Sequence, residues 1–109
     1  DNRAVLRARE YLDAHLDSPV GLADLERASG RDRWRLSRDF RAVLGASPYR
    51  YWLFRRLDRA RVLMRQGQSL AEVACACGFA DQSHFTRHFR KAFGMTPNSW
   101  ARHERPVSR

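Results

Sequence analysis

The chain has 109 residues, and 21 Lys and Arg against 12 Asp and Glu give it a formal net charge of +9. Because 43% of the residues are hydrophobic and 11% aromatic, one buried core can form, which excludes a disordered tail. No run approaches the roughly 20 apolar residues of a membrane span, and no charged-then-apolar leader opens the chain. We therefore expect a soluble, cytoplasmic protein. A first residue that is not Met suggests a fragment of a longer polypeptide.

The first predicted element in chain order is a helix over about 2–16, where apolar residues recur at helical spacing before Pro19. A short helix, a turn at Gly30 and a helix over about 33–44 with Asp32 as its cap come next. A longer helix over 48–66 then starts at Pro48. Five arginines are expected to coat its solvent face: Arg55, Arg56, Arg59, Arg61 and Arg65.

The remaining residues repeat the pattern of the first unit. Leu22-Ala23-Asp24-Leu25 and Gly30 align with Leu70-Ala71-Glu72-Val73 and Gly78 at an offset of 48, and Leu36, Phe40, Gly45 and Pro48 align with Phe85, Phe89, Gly94 and Pro97 at an offset of 49. The second copy has Ser69 and Asp81 as helix caps, a long helix over about 82–93 and a short last helix.

No segment alternates as a strand would, so we predict an all-α fold of seven helices. Residues 1–47 should hold the first helix and one helix-turn-helix, 48–66 a connecting helix, and 67–109 the second helix-turn-helix with the C-terminal helix. A helix over 48–66 is about 28 Å long, while major-groove faces on one side of B-DNA lie about 34 Å apart. The connecting helix can hold two recognition helices in neighbouring grooves, form the central core element of a bundle, or do both.

In a helix-turn-helix the second helix enters the DNA major groove. At 100° per residue, the outward face of the second unit's helix carries polar and cationic groups and no acid: Gln82, Ser83, Arg87, Arg90 and Lys91, with His84 and Thr86 at its flanks. In the first unit Trp34, Arg38 and Arg41 face outward, with Arg35 and Ser37 at the flanks and Arg33 at the tip. These groups suit base edges and phosphates, although a solvated helix face also carries them. Trp34 either packs on a partner or folds back over the domain.

The distribution of charge along the chain also favours a nucleic-acid partner. Residues 1–39 hold 8 basic and 8 acidic residues, whereas residues 40–109 hold 13 and 4, and no acid lies between Asp81 and Glu104. This field favours a polyanion as partner, and an arginine-rich surface that only solubilises the protein is the alternative.

Other chemistry has weak support in the sequence. Cys75 and Cys77 cannot build a disulfide framework or a four-ligand zinc site, and we interpret both as small core-filling residues. His84 and His88 stand four apart, but no third metal ligand is evident. No nucleophile motif or phosphate-cradling glycine loop appears, so we expect no enzymatic activity, no metal and no cofactor.

A long motif resembles the DNA-binding domain of the AraC/XylS family of bacterial transcription regulators. It comprises Ser69-Leu70-Ala71-Glu72-Val73-Ala74, Gly78-Phe79, the run from Asp81 to Lys91, Phe93-Gly94 and Thr96-Pro97. The first unit also fits the family from Leu22 to Pro48. It departs at Glu26, which stands where the second unit has the small Ala74 and suggests a looser or rotated first module.

The resemblance implies sequence-specific binding of double-stranded DNA for transcription regulation, with the helices over about 33–44 and 82–93 in adjacent major-groove segments of an asymmetric site. The implied base-reading residues are Trp34, Ser37, Arg38, Gln82, Ser83, Thr86 and Arg87. The implied phosphate contacts are Arg35, Arg41 and Arg90, with the helix amino ends near Ser47 and Thr96. RNA polymerase is an implied partner, and effector binding and dimerisation would use a domain outside this chain. The alternative is a helical interaction module that docks an acidic protein such as a polymerase subunit.

Overall fold

Seven α-helices form the part of the chain, residues 2–104, that this computed structural model describes. They are α1 (Asn2–Ala14), α2 (Leu22–Ser29), α3 (Arg33–Leu44), α4 (Pro48–Arg65), α5 (Leu70–Ala76), α6 (Gln82–Phe93) and α7 (Pro97–Glu104). These residues contain no strand, so the prediction of an all-α fold is confirmed. Nor do they contain a helix that is both long and apolar enough to cross a membrane.

The chain divides into two compact units at Arg55 and Arg56, inside α4. The core of the first unit is built from one face each of α1, α2 and α3: Val5, Ala8, Leu12, Leu25, Leu36 and Phe40. The start of α4 is fastened to α1, because the Tyr51 hydroxyl donates to Asp13 Oδ1 at 2.7 Å and Trp52 Nε1 donates to the His15 carbonyl at 3.0 Å. These bonds give the polar ends of two half-buried aromatic side chains a partner.

The second unit has an aromatic core around α6. Phe85 and Phe89 are fully buried, and the Phe89 ring meets Phe93 and Trp100 edge to face at centroid distances of 4.6 and 5.9 Å. From α4, the Arg61 guanidinium covers the Phe93 ring at 4.4 Å. The stripe that gives α6 its helical periodicity is therefore also what fixes α6 in the unit.

The helix boundaries follow the predicted capping residues. Asp32 accepts from the backbone N–H of Arg35 at 3.0 Å, and Asp81 accepts from that of His84 at 2.7 Å. In both α3 and α6 the cap fixes the first turn, which carries exposed side chains. Gly30 and Gly78 adopt φ of 73° and 77° in the two equivalent turns, a conformation that side chains with a Cβ rarely adopt.

Three local expectations were wrong. Helix α1 ends at Ala14 and not near Leu16, because the N–H of His15 bonds the Leu12 carbonyl at 3.1 Å and so closes a tighter last turn. Cys75 is exposed and only Cys77 is buried, since residues two apart on a helix face different sides. Arg56 does not coat a solvent face: it is 5% exposed.

Candidate nucleic-acid interface

An open groove in the second unit runs along the outward face of α6 to the start of α7. Its lining residues are polar or cationic: Gln82, Ser83, Thr86, Arg87, Arg90, Lys91 and Thr96. Six of the seven come from α6, because helical spacing turns these positions away from the side on which Phe85 and Phe89 are buried. The structure thus brings together every second-unit residue that the sequence proposed for DNA binding.

The groove of the second unit carries uncompensated positive charge. Within residues 2–104, Arg87, Arg90 and Lys91 are exposed and none has an acidic side chain at ion-pair distance. A surface of this kind attracts phosphate, and its arginine and amide groups match the acceptors and donors on base edges. Lys91 also lines the groove, although the sequence analysis did not name it as a DNA contact. Its outward position on the helix could have indicated this contact.

A groove in the first unit corresponds in part to the groove of the second unit, because Trp34 and Arg38, the equivalents of Ser83 and Arg87, do not line it. With the offset of 49, Arg33, Ser37, Arg41 and Ser47 correspond to Gln82, Thr86, Arg90 and Thr96, and all eight line their groove. The first groove differs in that its other lining residues are mostly apolar: Leu12, Val20, Gly21, Leu22, Leu25, Leu36, Pro48, Tyr49 and Trp52. Among these, the exposed Leu22 and Tyr49 were absent from the predicted interface.

Three of the four arginines of α3 have acidic partners. Glu26 accepts from Arg33 three times, from the backbone N–H at 3.0 Å and from Nε and Nη2 at 3.2 and 3.0 Å. Arg35 Nε lies 3.6 Å from Asp32, and Arg38 Nε lies 3.7 Å from Asp39. Side-chain and then backbone hydrogen bonds from Arg33 lower the pKa of Glu26. Glu26 thus links α2 to the start of α3 by hydrogen bonds. The looser or rotated first module that this residue suggested stays a prediction.

Trp34 stands at the amino end of α3 with 79% of its surface exposed. It therefore does not fold back over its unit, which was the structural alternative to a partner contact. Arg38, one helical turn later, has 74% of its side chain exposed, and Ser37 is half-buried at the edge of the groove. An indole in this position offers a large rigid contact area to a partner.

Ser47 and Thr96 cap the helices that follow the two recognition helices. The Ser47 hydroxyl accepts from the N–H of Arg50, and the Thr96 hydroxyl accepts from that of Ser99, both at 3.2 Å. The cap leaves other N–H groups of the first turn available to an anion, and the helix dipole favours negative charge there.

His84 and His88 pair on the flank of α6, with their Nε2 atoms 3.1 Å apart. His84 Nδ1 also accepts from the N–H of Ala80 at 3.4 Å. Burial, followed by the charges of His84, Arg56, Arg87 and Lys91, lowers the pKa of His88. This cationic surrounding disfavours a metal ion at the pair.

The chain is similar to known helix-turn-helix proteins. A family model described as a helix-turn-helix domain matches residues 25–103. The HTH-type transcriptional regulator GbdR of Pseudomonas aeruginosa is 40% identical over 87 residues, which is 79% of this chain and 24% of GbdR. The chain spans between 24% and 37% of the length of the curated relatives compared with it.

Solved structures share the whole fold. A transcriptional regulator from Chromobacterium violaceum, of the AraC-type DNA-binding domain-containing proteins, superposes with a TM-score of 0.84 at 31% identity, covering 97% of this chain and 96% of that one. The DNA-binding domain of the global transcriptional factor AdpA, solved in complex with a target DNA, has a TM-score of 0.84 at 25% identity and covers 96% of this chain and 98% of its own.

Proposed function

The chain belongs to the AraC family of helix-turn-helix DNA-binding domains, and from this we propose that α3 and α6 read adjacent major-groove segments of one asymmetric site. Sequence-specific DNA binding for transcription regulation is the function of the domain, and the family is one of regulators and not of enzymes. The observation that supports the proposal is that each unit has its own groove, with four lining positions that are equivalent in the repeat.

In the second unit, Gln82, Ser83, Thr86 and Arg87 read bases. Arginine offers two donors to the two major-groove acceptors of guanine, glutamine pairs with adenine, and the threonine methyl packs on the thymine methyl. Arg90 and the amino end of α7 at Thr96 bind phosphates on either side of the helix, which positions it in the groove without carrying sequence information.

In the first unit, Trp34, Ser37 and Arg38 read bases. Trp34 acts by apolar contact, and the apolar lining of the neighbouring groove extends the surface that can meet thymine methyl groups and sugars. Arg35, Arg41 and the amino end of α4 at Ser47 bind phosphates.

The two units contribute unequally to affinity. The cations of α6 can bind phosphate without breaking an ion pair. In α3, by contrast, Arg35 and Arg38 are paired with Asp32 and Asp39, which weakens their attraction for phosphate. Each phosphate that is neutralised releases condensed counterions, so the second unit supplies most of the salt-dependent affinity. The first unit contributes more to selectivity through Trp34.

Paired alanine substitutions on α6 test these roles. Arg87→Ala should cost about 1–3 kcal/mol at the selected site and relax the preference at one base pair, whereas Arg90→Ala should weaken all DNA sequences alike. Binding is measured on a panel in which each base pair of the site is substituted in turn. An unchanged ranking of the panel for Arg87→Ala would remove that arginine from the base-reading set.

The matched region is 24% of the length of GbdR, and we propose by analogy that this domain belongs to a longer protein. We place effector binding and dimerisation in such an additional region, in a cytoplasmic regulator that also contacts RNA polymerase. The exposed Trp34 keeps an acidic protein partner as the second candidate for this surface. A competition experiment distinguishes the two partners. If Trp34 contacts DNA, selected DNA and an acidic polymerase subunit should bind the domain at the same time. A Trp34→Ala variant that loses binding of the subunit but keeps binding of DNA would contradict this.

A further inference from the structure

Two arginines donate hydrogen bonds to backbone carbonyls in the equivalent turns of the two units. In the first unit, Arg7 from α1 donates through Nη2 to the Ser29 carbonyl at 2.8 Å. In the second unit, Arg56 from α4 donates through Nε to the Cys77 carbonyl at 2.8 Å and through Nη2 to the Gly78 carbonyl at 2.6 Å. Ser29 and Cys77 are equivalent in the repeat at the offset of 48. The same turn is thus held by an arginine from the preceding long helix in both units.

These turns determine how each recognition helix leaves its supporting helix. The carbonyls at the end of α2 and α5 have no partner further along their helix and carry the negative end of the helix dipole. A guanidinium suits them because it is cationic and presents several donors in a rigid planar arrangement. Arg56 satisfies two successive carbonyls at once and so fixes the path of the chain through the turn.

From the second turn, a continuous set of contacts reaches α6. The Arg56 guanidinium lies over the Phe79 ring at 4.2 Å from its centroid. Phe79 in turn meets the Phe85 ring at 5.2 Å and the His88 ring at 6.0 Å. Phe85 anchors α6 in the core, and His88 follows Arg87 in the sequence at the flank of α6, so a change in the turn displaces the base-reading side chains.

We propose that Arg56 and Arg7 are positioning residues for DNA reading, each acting on the recognition helix of its own unit. Neither residue lines a groove. Arg56 is buried and so acts through the turn and not by touching DNA, while the exposed Arg7 acts through its bond to the Ser29 carbonyl. The inference rests on the proposed function, because it concerns how the two faces are oriented for base contact. It assigns a role in selectivity to residues outside the reading face.

The test compares conservative substitutions in the full chain. Arg56→Lys keeps the charge but can no longer reach both carbonyls in one plane, and Arg7→Lys is its counterpart in the first unit. Arg59→Lys is the matched control, since Arg59 is an exposed arginine one turn further along α4. Affinities are measured well below the unfolding temperature, corrected for the active fraction, on sites substituted in one half or the other.

Arg56→Lys should reduce discrimination about tenfold at the base pairs that Arg87→Ala relaxes, and leave the other half-site unchanged within about twofold. Arg7→Lys should reduce discrimination at the base pairs read by α3 and leave those read by α6 unchanged. A uniform loss over all DNA, or a lowered unfolding temperature with the ranking of sites intact, would overturn the inference and leave both arginines as purely structural.

A readout in the free protein separates this inference from the proposed function. Amide residual dipolar couplings report the orientation of α6 relative to α5, which should change in Arg56→Lys and stay as in the wild type in Arg59→Lys. If the wild type showed no sequence preference, the proposed function would fail while the couplings still decided the positioning role. Unchanged couplings in Arg56→Lys overturn that role whatever the DNA result.

Discussion

Removing Arg90 should change how DNA affinity depends on salt. Arg90 is exposed on α6 and pairs with no acid in the described residues, so Arg90→Ala deletes one phosphate contact without freeing a carboxylate. Each neutralised phosphate adds about −0.9 to the slope of log affinity against log salt. A rise from about 50 to about 200 mM salt should therefore shrink the advantage of the wild type over the variant about 3.5-fold.

Fluorescence titration of a labelled duplex at four or more salt concentrations measures this slope. Arg59→Ala is the control, because it removes the same charge from α4 outside both grooves and should leave the slope near the wild-type value. A slope for Arg90→Ala equal to that of the wild type, or an equal change in both variants, refutes the assignment of Arg90 to a phosphate.

Three further predictions concern single side chains. Trp34→Ala should change the unfolding free energy by no more than about 0.5 kcal/mol, since the indole is exposed, while DNA affinity falls about tenfold or more; equal losses in both would contradict a partner contact. Phe89→Ala should lower the unfolding free energy by about 3–5 kcal/mol in denaturant titrations, because Phe89 is fully buried among aromatic rings. Burial lowers the pKa of His88 below its ordinary value, so the unfolded chain binds the proton more readily and stability should fall as pH drops below about 6.5. His88→Gln should flatten this dependence between about pH 7.5 and 5.5, and an unaltered curve would contradict it.

The limits of α3 and α6 and their outward faces were predictable because the signals for them are local. Asp32 and Asp81 cap the helices that the sequence assigned to them, and helical spacing placed Arg87 on the outward side. Such signals depend on a few neighbouring residues and on the helical repeat, which the fold does not alter.

Contacts between distant residues were not predictable in the same way. An arginine in a row of arginines reads as solvent-facing, and only the packing of α4 on the second turn shows that Arg56 is buried against two carbonyls. The bond from Arg33 to Glu26 likewise depends on how α2 meets α3. Comparison of the repeats could have drawn attention to the turns at Ser29 and Cys77 and, at the offset of 49, to Arg7 and Arg56, but not to the bonds between these arginines and the turns.

Binding-site selection from a random DNA pool tests the central claim most directly. The wild type should select two blocks of preferred bases about one helical turn apart, with Arg38→Ala relaxing one block and Arg87→Ala the other. A single block, no preference, or two substitutions that relax the same block would contradict a domain in which α3 and α6 each read a major-groove segment.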